Sequence, residues 1–285
     1  LLPAEVVRAA MLIRANTLSN GHSGNRIQIL DTLLAMLNEG ITPQIPSQGS
    51  LGSSGDLAPL AHLALTLSRD ETDKEAESGI ANYQGKELSG KAAMQAAGIS
   101  RPILEAKEGL AITNGATFSA AIAALTLQKA RLLIELSDLA LAMSLEALSG
   151  CSSAFDERIH RARNHPGQIE VAARIRELTQ GSTLLDSGSQ IQDAYSLRAA
   201  PQVHGPVREC IDYVSQIITR EINATTDNPL FFEGGESISG GNFHGEPIAQ
   251  AMDFLKISLS ELGAIAERRI FHLTDGNANF GLPPM

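Results

Sequence analysis

The 285-residue sequence contains no tryptophan, only three tyrosines and only two cysteines. So few aromatics, beside abundant alanine and leucine, argue against a β-sandwich and for packed helices. Cys151 and Cys210 make neither a disulfide framework nor a metal cluster; they suit a reducing cytoplasm and read as small buried hydrophobes. A formal net charge of −10 speaks against nucleic acid and anionic membrane as partners. No signal peptide is visible, and polar residues interrupt each apolar run before it is long enough to cross a bilayer. Cys/His metal spacing, a nucleophile elbow and a Gly-rich phosphate loop are also missing, so neither a bound metal nor a nucleotide is expected.

What remains is ample for a core, since 43% of the residues are hydrophobic. Pro3 to Ser19 reads as a helix with Val6, Val7, Ala10, Met11, Ile13 and Leu18 on an apolar face and the arginines on the other side. Gly21-His22-Ser23-Gly24 is a turn with His22 solvated. Arg26 to Asn38 carries Ile27, Leu30, Leu33, Leu34 and Leu37 at helical spacing and stops at Gly40. Leu57 to Ser68 is a third helix, which Asp56 is placed to cap. Arg69 to Gly79 reads as a solvated charged loop, Tyr83 to Lys86 as a short hairpin edge, and Gly90 to Ala97 as a short helix closed by Gly98. From Thr117, a stripe of Phe118, Ala121, Ile122, Leu125, Leu132, Leu133, Leu136, Leu139 and Met143 predicts one helix of ~45 Å at about 1.5 Å per residue, the spine of a bundle. Arg158, His160, Arg161, Arg163 and His165 form a basic surface cluster. Pro206 to Ile222 and Pro247 to Leu273 are long helices around a Gly-rich segment, with Glu261, Glu267, Arg268 and Arg269 as exposed charge pairs. The expected class is all-α, a long-helix bundle, with residues 1–285 as a single, mainly helical portion.

The stretch from Gly49 to Leu60, GSLGSSGDLAPL, departs from this pattern. Ser/Gly runs are most often flexible linkers. Here, however, an Asp, a Pro near a first helical turn and apolar residues at helical spacing follow at once. Small residues let the backbone of Ser53-Ser54-Gly55 fold closely onto itself. In a compressed turn the Gly55 nitrogen could attack the Ser53 carbonyl carbon; loss of water closes a five-membered ring, and dehydration of Ser54 leaves an exocyclic methylene. The product is an electrophile that no coded side chain supplies.

Other stretches carry chemistry-bearing residues. Gln192, Tyr195 and Arg198 fall three residues apart, on one side of a helical turn or two. An amide, a phenol and a guanidinium so placed suit a carboxylate, although a salt-bridged helix face has the same spacing. Asn114-Gly115 precedes the longest helix, where free amides can face a ligand and where a plain Asn-Gly turn is the alternative. Phe243, His244 and Glu246 cluster at a helix start, where a carboxylate is favoured.

The stretch GSLGSSGDLAPLAHLAL resembles the signature of the histidine and aromatic amino acid ammonia-lyases, whose Ala-Ser-Gly triad becomes a methylidene-imidazolone (MIO) group. Leu110 to Gly115, Gln192 to Arg198 with Pro201-Gln202, Thr226-Asp227-Asn228-Pro229-Leu230 and Gly241 to Pro247 resemble the same family, in family order across most of the chain. One departure is that Ser53 stands where the family has Ala, which would leave a hydroxymethyl on the ring. The resemblance implies a histidase-like helix bundle with an ordered MIO loop, and a homotetramer whose active sites draw on several subunits. It implies MIO from Ser53, Ser54 and Gly55, with Asp56 supporting ring formation. It assigns Arg198 to the substrate carboxylate and Asn114 and Tyr195, supported by Gln192, to the amine and the prosthetic group. Phe243 lines the pocket and Glu246 lies nearby.

Relative to that family, the sequence is expected to be a piece lacking an N-terminal stretch and a longer C-terminal helical region, the N-terminal one carrying a catalytic Tyr and a substrate-selecting His. The stretch on its own is therefore expected to be inactive. The expected reaction is elimination of ammonia from histidine to give trans-urocanate, because Ser189 to Gln202 and Asn242 to Pro247 look closer to that branch. Phenylalanine or tyrosine ammonia-lyases and aminomutases share every motif quoted. An inactive helical homologue serving only as an assembly partner is the reading from another class.

Overall fold

The computed structural model describes residues 1–279 and 281–283. Helices α1 (Ala4–Ser19) and α2 (Ile27–Glu39) lead to β1 (Thr42–Pro43) and α3 (Leu57–Leu67). Strands β2 (Ile80–Tyr83) and β3 (Lys86–Ser89) form a hairpin, which β1 extends to a three-stranded antiparallel sheet. Its turn residues Gln84 and Gly85 both have positive φ, as a tight hairpin with right-handed twist requires. Helices α4 (Gly90–Ala96), α5 (Glu108–Thr113), α6 (Thr117–Ala147), α7 (Glu157–Arg163), α8 (Pro166–Leu178), α9 (Tyr195–Arg198) and α10 (Ala200–Glu221) follow. A two-stranded sheet of β4 (Leu230–Phe231) and β5 (Ser237–Ile238) precedes α11 (Glu246–Thr274). The helix-rich class expected from composition is met.

The chain divides into two compact units, Leu1–Leu125 with Ile217–Gln250 and Thr126–Gln216 with Ala251–Met285. In the first, Val7, Met11 and Leu18 of α1, Ile29, Leu33 and Met36 of α2, and Leu60, Leu63 and Leu67 of α3 are buried. The buried face of α2 is thus turned from the expected one, and Ile27 and Leu34 are exposed. This helix is apolar over enough of its circumference that two stripes satisfy helical spacing.

Arg14 corrects a second expectation. It is fully buried rather than on the polar side of α1, because positions 7, 11, 14 and 18 share one helical face. The loop after α3 is likewise less free than expected. Buried Arg101 donates to the main-chain oxygens of Thr66 (3.1 Å) and Leu65 (2.6 Å) at the end of α3 and pairs with Asp73 at 2.5 Å. Asp73 is shared with Lys91 at 3.3 Å, so a charge read as solvated anchors the loop.

In the second unit, Leu141, Leu145, Leu148, Phe155, Val171, Ile175 and Leu197 form one core. His160, expected in a basic surface cluster, is buried there. Gln168 donates to its Nδ1 (2.9 Å), so its Nε2 donates to the Ala154 oxygen (3.0 Å), and burial pushes its pKa down. Asp138 is buried between His204 Nδ1 (2.6 Å) and Arg208 Nη2 (2.5 Å). Arg269 is also buried, not an exposed charge; burial lowers its pKa against the opposing pull of Asp138.

Helix α6 keeps its predicted length, but its expected stripe is only half right. Phe118 and Ala121 are buried, whereas Leu132, Leu133, Leu136, Leu139 and Met143 are exposed and Ala130, Ile134, Leu141 and Leu145 are buried instead. A helix apolar nearly all round hides whichever side its neighbours reach. The stretch Glu108–Ala147 is, by length and composition, apolar enough to cross a membrane, contrary to the sequence reading; most of its apolar window is nevertheless buried in the protein, as in a core helix.

Candidate active site

The Ser53-Ser54-Gly55 turn lies ahead of α3 and is pinned from three sides within the first unit. Gly55 (φ +80°) packs so closely on Gly115 that a Cβ would lie 2.5 Å from the Gly115 nitrogen. Asp56 N donates to the Gly115 oxygen at 2.7 Å, and Gly245 N donates to the Gly52 oxygen at 3.0 Å. Buried Asp56 makes no side-chain cap to α3. Its carboxylate accepts from Ser50 Oγ (2.7 Å), Ser119 N (2.7 Å) and Ser119 Oγ (3.0 Å), so it caps α6 and closes the loop. Ser53 and Ser54 stay exposed at the tip.

These residues fit the prosthetic group that the sequence resemblance implies. Ring closure needs a main chain doubled back within two residues, and Ser53 pairs with Gly55 as a backbone bridge while Gly55 N faces the Gly52 oxygen at 3.4 Å. It also needs a glycine at the attacking nitrogen, and the contact with Gly115 leaves no room for a side chain at Gly55. Two glycines and a buried carboxylate hold the turn without filling the space above the serines.

Asn114 is buried beside this turn, at the end of α5. Its Nδ2 donates to Asp227 Oδ1 (3.3 Å) and the Asn228 oxygen (3.2 Å). Asp227 Oδ2 accepts from Lys107 Nζ at 2.7 Å. Arg14 donates to the main-chain oxygens of Ala111, Asn114 and Thr226, tying α5 to the segment that carries Asp227; burial lowers its pKa to about 10, with the charge of Asp227 opposing. Sequence reasoning quoted Asp227 only within a motif and missed Lys107 and Arg14. The signal available was Arg14's place on the apolar face of α1.

Phe243 is half-buried, and Glu246 opens α11 with its carboxylate exposed and accepting from Gln250 at 3.1 Å. His22, read as solvated, instead sits half-buried with Nδ1 2.9 Å from the Phe231 oxygen.

Gln192, Tyr195 and Arg198 lie in the second unit. Tyr195 and Arg198 form the short α9, with the guanidinium carbon 4.5 Å from the phenol ring centroid and Nε donating to the Asp193 oxygen at 2.9 Å. Gln192 is not on that helix; it lies exposed in the bend before it, so the shared helical face predicted for all three holds only for Tyr195 and Arg198. Cys151 and Cys210 are free and half-buried rather than fully buried. Burial and the charges of Asp193 and Asp186 push the Cys151 thiol up, away from nucleophile chemistry.

A long-helix protein with a doubled-back Ser-Ser-Gly turn clamped at the start of its longest helix is the class that fold and site define. The profile of the aromatic amino acid lyases matches residues 1–285. A histidine ammonia-lyase of Caldanaerobacter subterraneus subsp. tengcongensis is 48% identical over 286 residues, covering 99% of this chain and 54% of that protein. Among solved structures, histidine ammonia-lyase from Trypanosoma cruzi superposes with a TM-score of 0.88 at 41% identity, covering 99% of this chain and 52% of that one. A phenylalanine aminomutase of Pantoea agglomerans superposes with a TM-score of 0.90 at 36% identity, covering 98% and 56%. The chain belongs to the aromatic amino acid lyase family, and it spans about half the length of the curated relatives it matches.

Proposed function

We propose that this protein is a carbon-nitrogen lyase that eliminates ammonia from histidine to give trans-urocanate, using an MIO group formed from Ser53, Ser54 and Gly55. The observation that carries the reading is the clamp of Gly115, Gly245 and Asp56 on a doubled-back Ser-Ser-Gly turn. When formed, the group supplies an electron-poor methylene that draws charge from the substrate amine, making it a leaving group.

The chain's own residues then bind and orient. Asn114 positions the amino group, and Phe243 lines the pocket with Glu246 nearby. Arg198 receives the substrate carboxylate: its Nε is committed to Asp193, which fixes the plane of the guanidinium fork. Tyr195, stacked on that fork, positions the amine and the prosthetic group, with Gln192 in support. Substrate held in this way loses its freedom to rotate before reaction. The site includes no metal in this reading.

A homotetramer belongs to the same proposal, with more than one copy building each site. The exposed apolar row Leu132, Leu136, Leu139 and Met143 on α6 supports it, since such rows mark association surfaces. A cytoplasmic location goes with two free thiols.

The second reading, lyase or aminomutase action on phenylalanine or tyrosine, is favoured by the similarity to phenylalanine aminomutase. Incubating the full-length protein with histidine, phenylalanine and tyrosine separates the two. Urocanate is expected; cinnamate, coumarate or a β-amino acid instead would replace histidine with the second reading. A Ser54→Ala variant should fold and turn over nothing, because only that residue can yield the methylene.

A further inference from the structure

Both hydrogen bonds that the Asn114 side chain makes among the described residues are donated by its Nδ2, to Asp227 Oδ1 and to the Asn228 oxygen. A carboxylate and a peptide carbonyl only accept, so the amide has one orientation: its NH2 faces Asp227 and its Oδ1 is turned away. An amide with both ends free can offer a ligand either a donor or an acceptor. Here the choice is made before anything binds.

Asp227 is built to make that choice. It is 1% exposed, its Oδ1 also accepts from Asn228 N at 2.6 Å, and its Oδ2 accepts from Lys107 Nζ, which in turn donates to the Ser23 oxygen at 3.2 Å. With Lys107 Nζ donating to Oδ2 and Asn228 N to Oδ1, both carboxylate oxygens are engaged as acceptors, and Asn114 meets an acceptor. Arg14 fixes the main chain on either side of the contact, through the Asn114 and Thr226 oxygens. The backbone of Asn114 is thus held by buried Arg14, and its side chain by Asp227, which half-buried Lys107 anchors.

We infer that Asp227, anchored by Lys107, is a positioning residue that turns the carbonyl end of the Asn114 amide toward the amino group of the substrate. This rests on the ammonia-lyase reading. An amino group donates hydrogen bonds, and a carbonyl oxygen accepts them; the opposite end of the amide would face it with N–H against N–H. Asp227 touches no substrate in this assignment and acts only through Asn114.

The test uses the full-length protein and Asp227→Asn, which keeps the shape but lets the neighbour offer either a donor or an acceptor. Three quantities are read: the mass deficit of two waters on the peptide spanning Ser53 to Gly55, the thermal unfolding midpoint, and kcat and KM for histidine. The expected result is an intact mass deficit with kcat/KM reduced roughly ten- to a hundredfold, the range of one hydrogen bond to a charged partner.

A double-mutant cycle with Asn114→Ala separates positioning from mere stability. In the Asn114→Ala background the Asp227→Asn loss should vanish; additive losses overturn the assignment, as does an unchanged kcat/KM. Loss of the mass deficit in Asp227→Asn alone also overturns it, since the residue would then act on ring formation. A wild-type protein with no mass deficit and no turnover sinks the underlying reading, a result distinguishable from all of these. If Asp227→Asn does not fold, Lys107→Met carries the same cycle with the same expected direction, and additivity there overturns the inference equally.

Discussion

The carboxylate of Asp56 accepts hydrogen bonds from both the main-chain nitrogen and the hydroxyl of Ser119, at 2.7 and 3.0 Å. Asp56 directly precedes α3, yet it caps α6, whose third residue is Ser119. One side chain thereby joins the Ser53-Ser54-Gly55 turn to the longest helix among the described residues. The free N–H groups of the first turn of α6 attract the negative charge, so the turn is drawn toward that helix end.

Replacing Asp56 with Ala should therefore do two things at once. Losing a helix cap costs about 1–2 kcal/mol of stability, which a denaturant titration reads directly. Releasing Ser50 and Ser119 should also lower the fraction of chains that lose two waters at Ser53 to Gly55, measured by peptide mass. A variant that is less stable but fully dehydrated would mean that Asp56 serves the fold alone.

Gly115 is the surface on which the turn rests. Its φ is +119°, and a Cβ there would overlap the Thr226 oxygen and sit 2.9 Å from Arg14 Nη1. Gly115→Ala should cost about 2–4 kcal/mol, because backbone strain and a clash with fixed main chain act together. Gly40 shares the positive φ but has open space around it, so Gly40→Ala should cost only about 1 kcal/mol. Comparing the two unfolding midpoints isolates the steric part.

Helix existence and length were readable because α1, α6 and α11 carry long periodic patterns with clear stops. Gly40, predicted to end α2, does so in a left-handed conformation. Which face is buried was less readable. α2 and α6 are apolar over more than one stripe, and only their neighbours decide which stripe is covered. Buried charges were hardest of all: Arg14, His160 and Arg269 look like surface residues in sequence, and the acceptors of Arg14, the main-chain oxygens of Ala111, Asn114 and Thr226, are remote in the chain and carry no sequence signal. In the candidate site, the residues of the turn and Asn114 could be named from motifs. The Asp227–Lys107 pair spans 120 positions and could not be seen without the fold.

Arg198 offers a sharper test of the unit that holds it. Its Nε bond to Asp193 and its stack on Tyr195 both depend on a flat guanidinium. Arg198→Lys keeps the charge but loses the plane, the stack and the two-pronged grip on a carboxylate. The KM for the amino acid should rise roughly tenfold or more, as expected for losing a charge-assisted hydrogen bond. Steady-state kinetics read this against a far-ultraviolet circular dichroism spectrum that should not change. Unaltered kcat and KM would remove Arg198 from the site.

Acid should weaken the first unit through Glu108. This carboxylate is almost fully buried; burial alone would raise its pKa, but hydrogen bonds from the Arg26 side chain and from the main-chain nitrogens of Glu105 and Arg26 outweigh it and bring the pKa to about 2. The ordinary value is 4.5, so the group releases its proton more readily folded than unfolded. A depressed carboxylate adds stability that is fully present above the unfolded pKa and disappears as the pH falls toward the folded one. The stability gap between the wild type and Glu108→Gln should therefore be constant near neutral pH and narrow between about pH 4.5 and about pH 2. Urea titrations across that window test it. A gap that stays constant through the window would show that Glu108 titrates normally and that its ties to Arg26 add nothing to its ionised form.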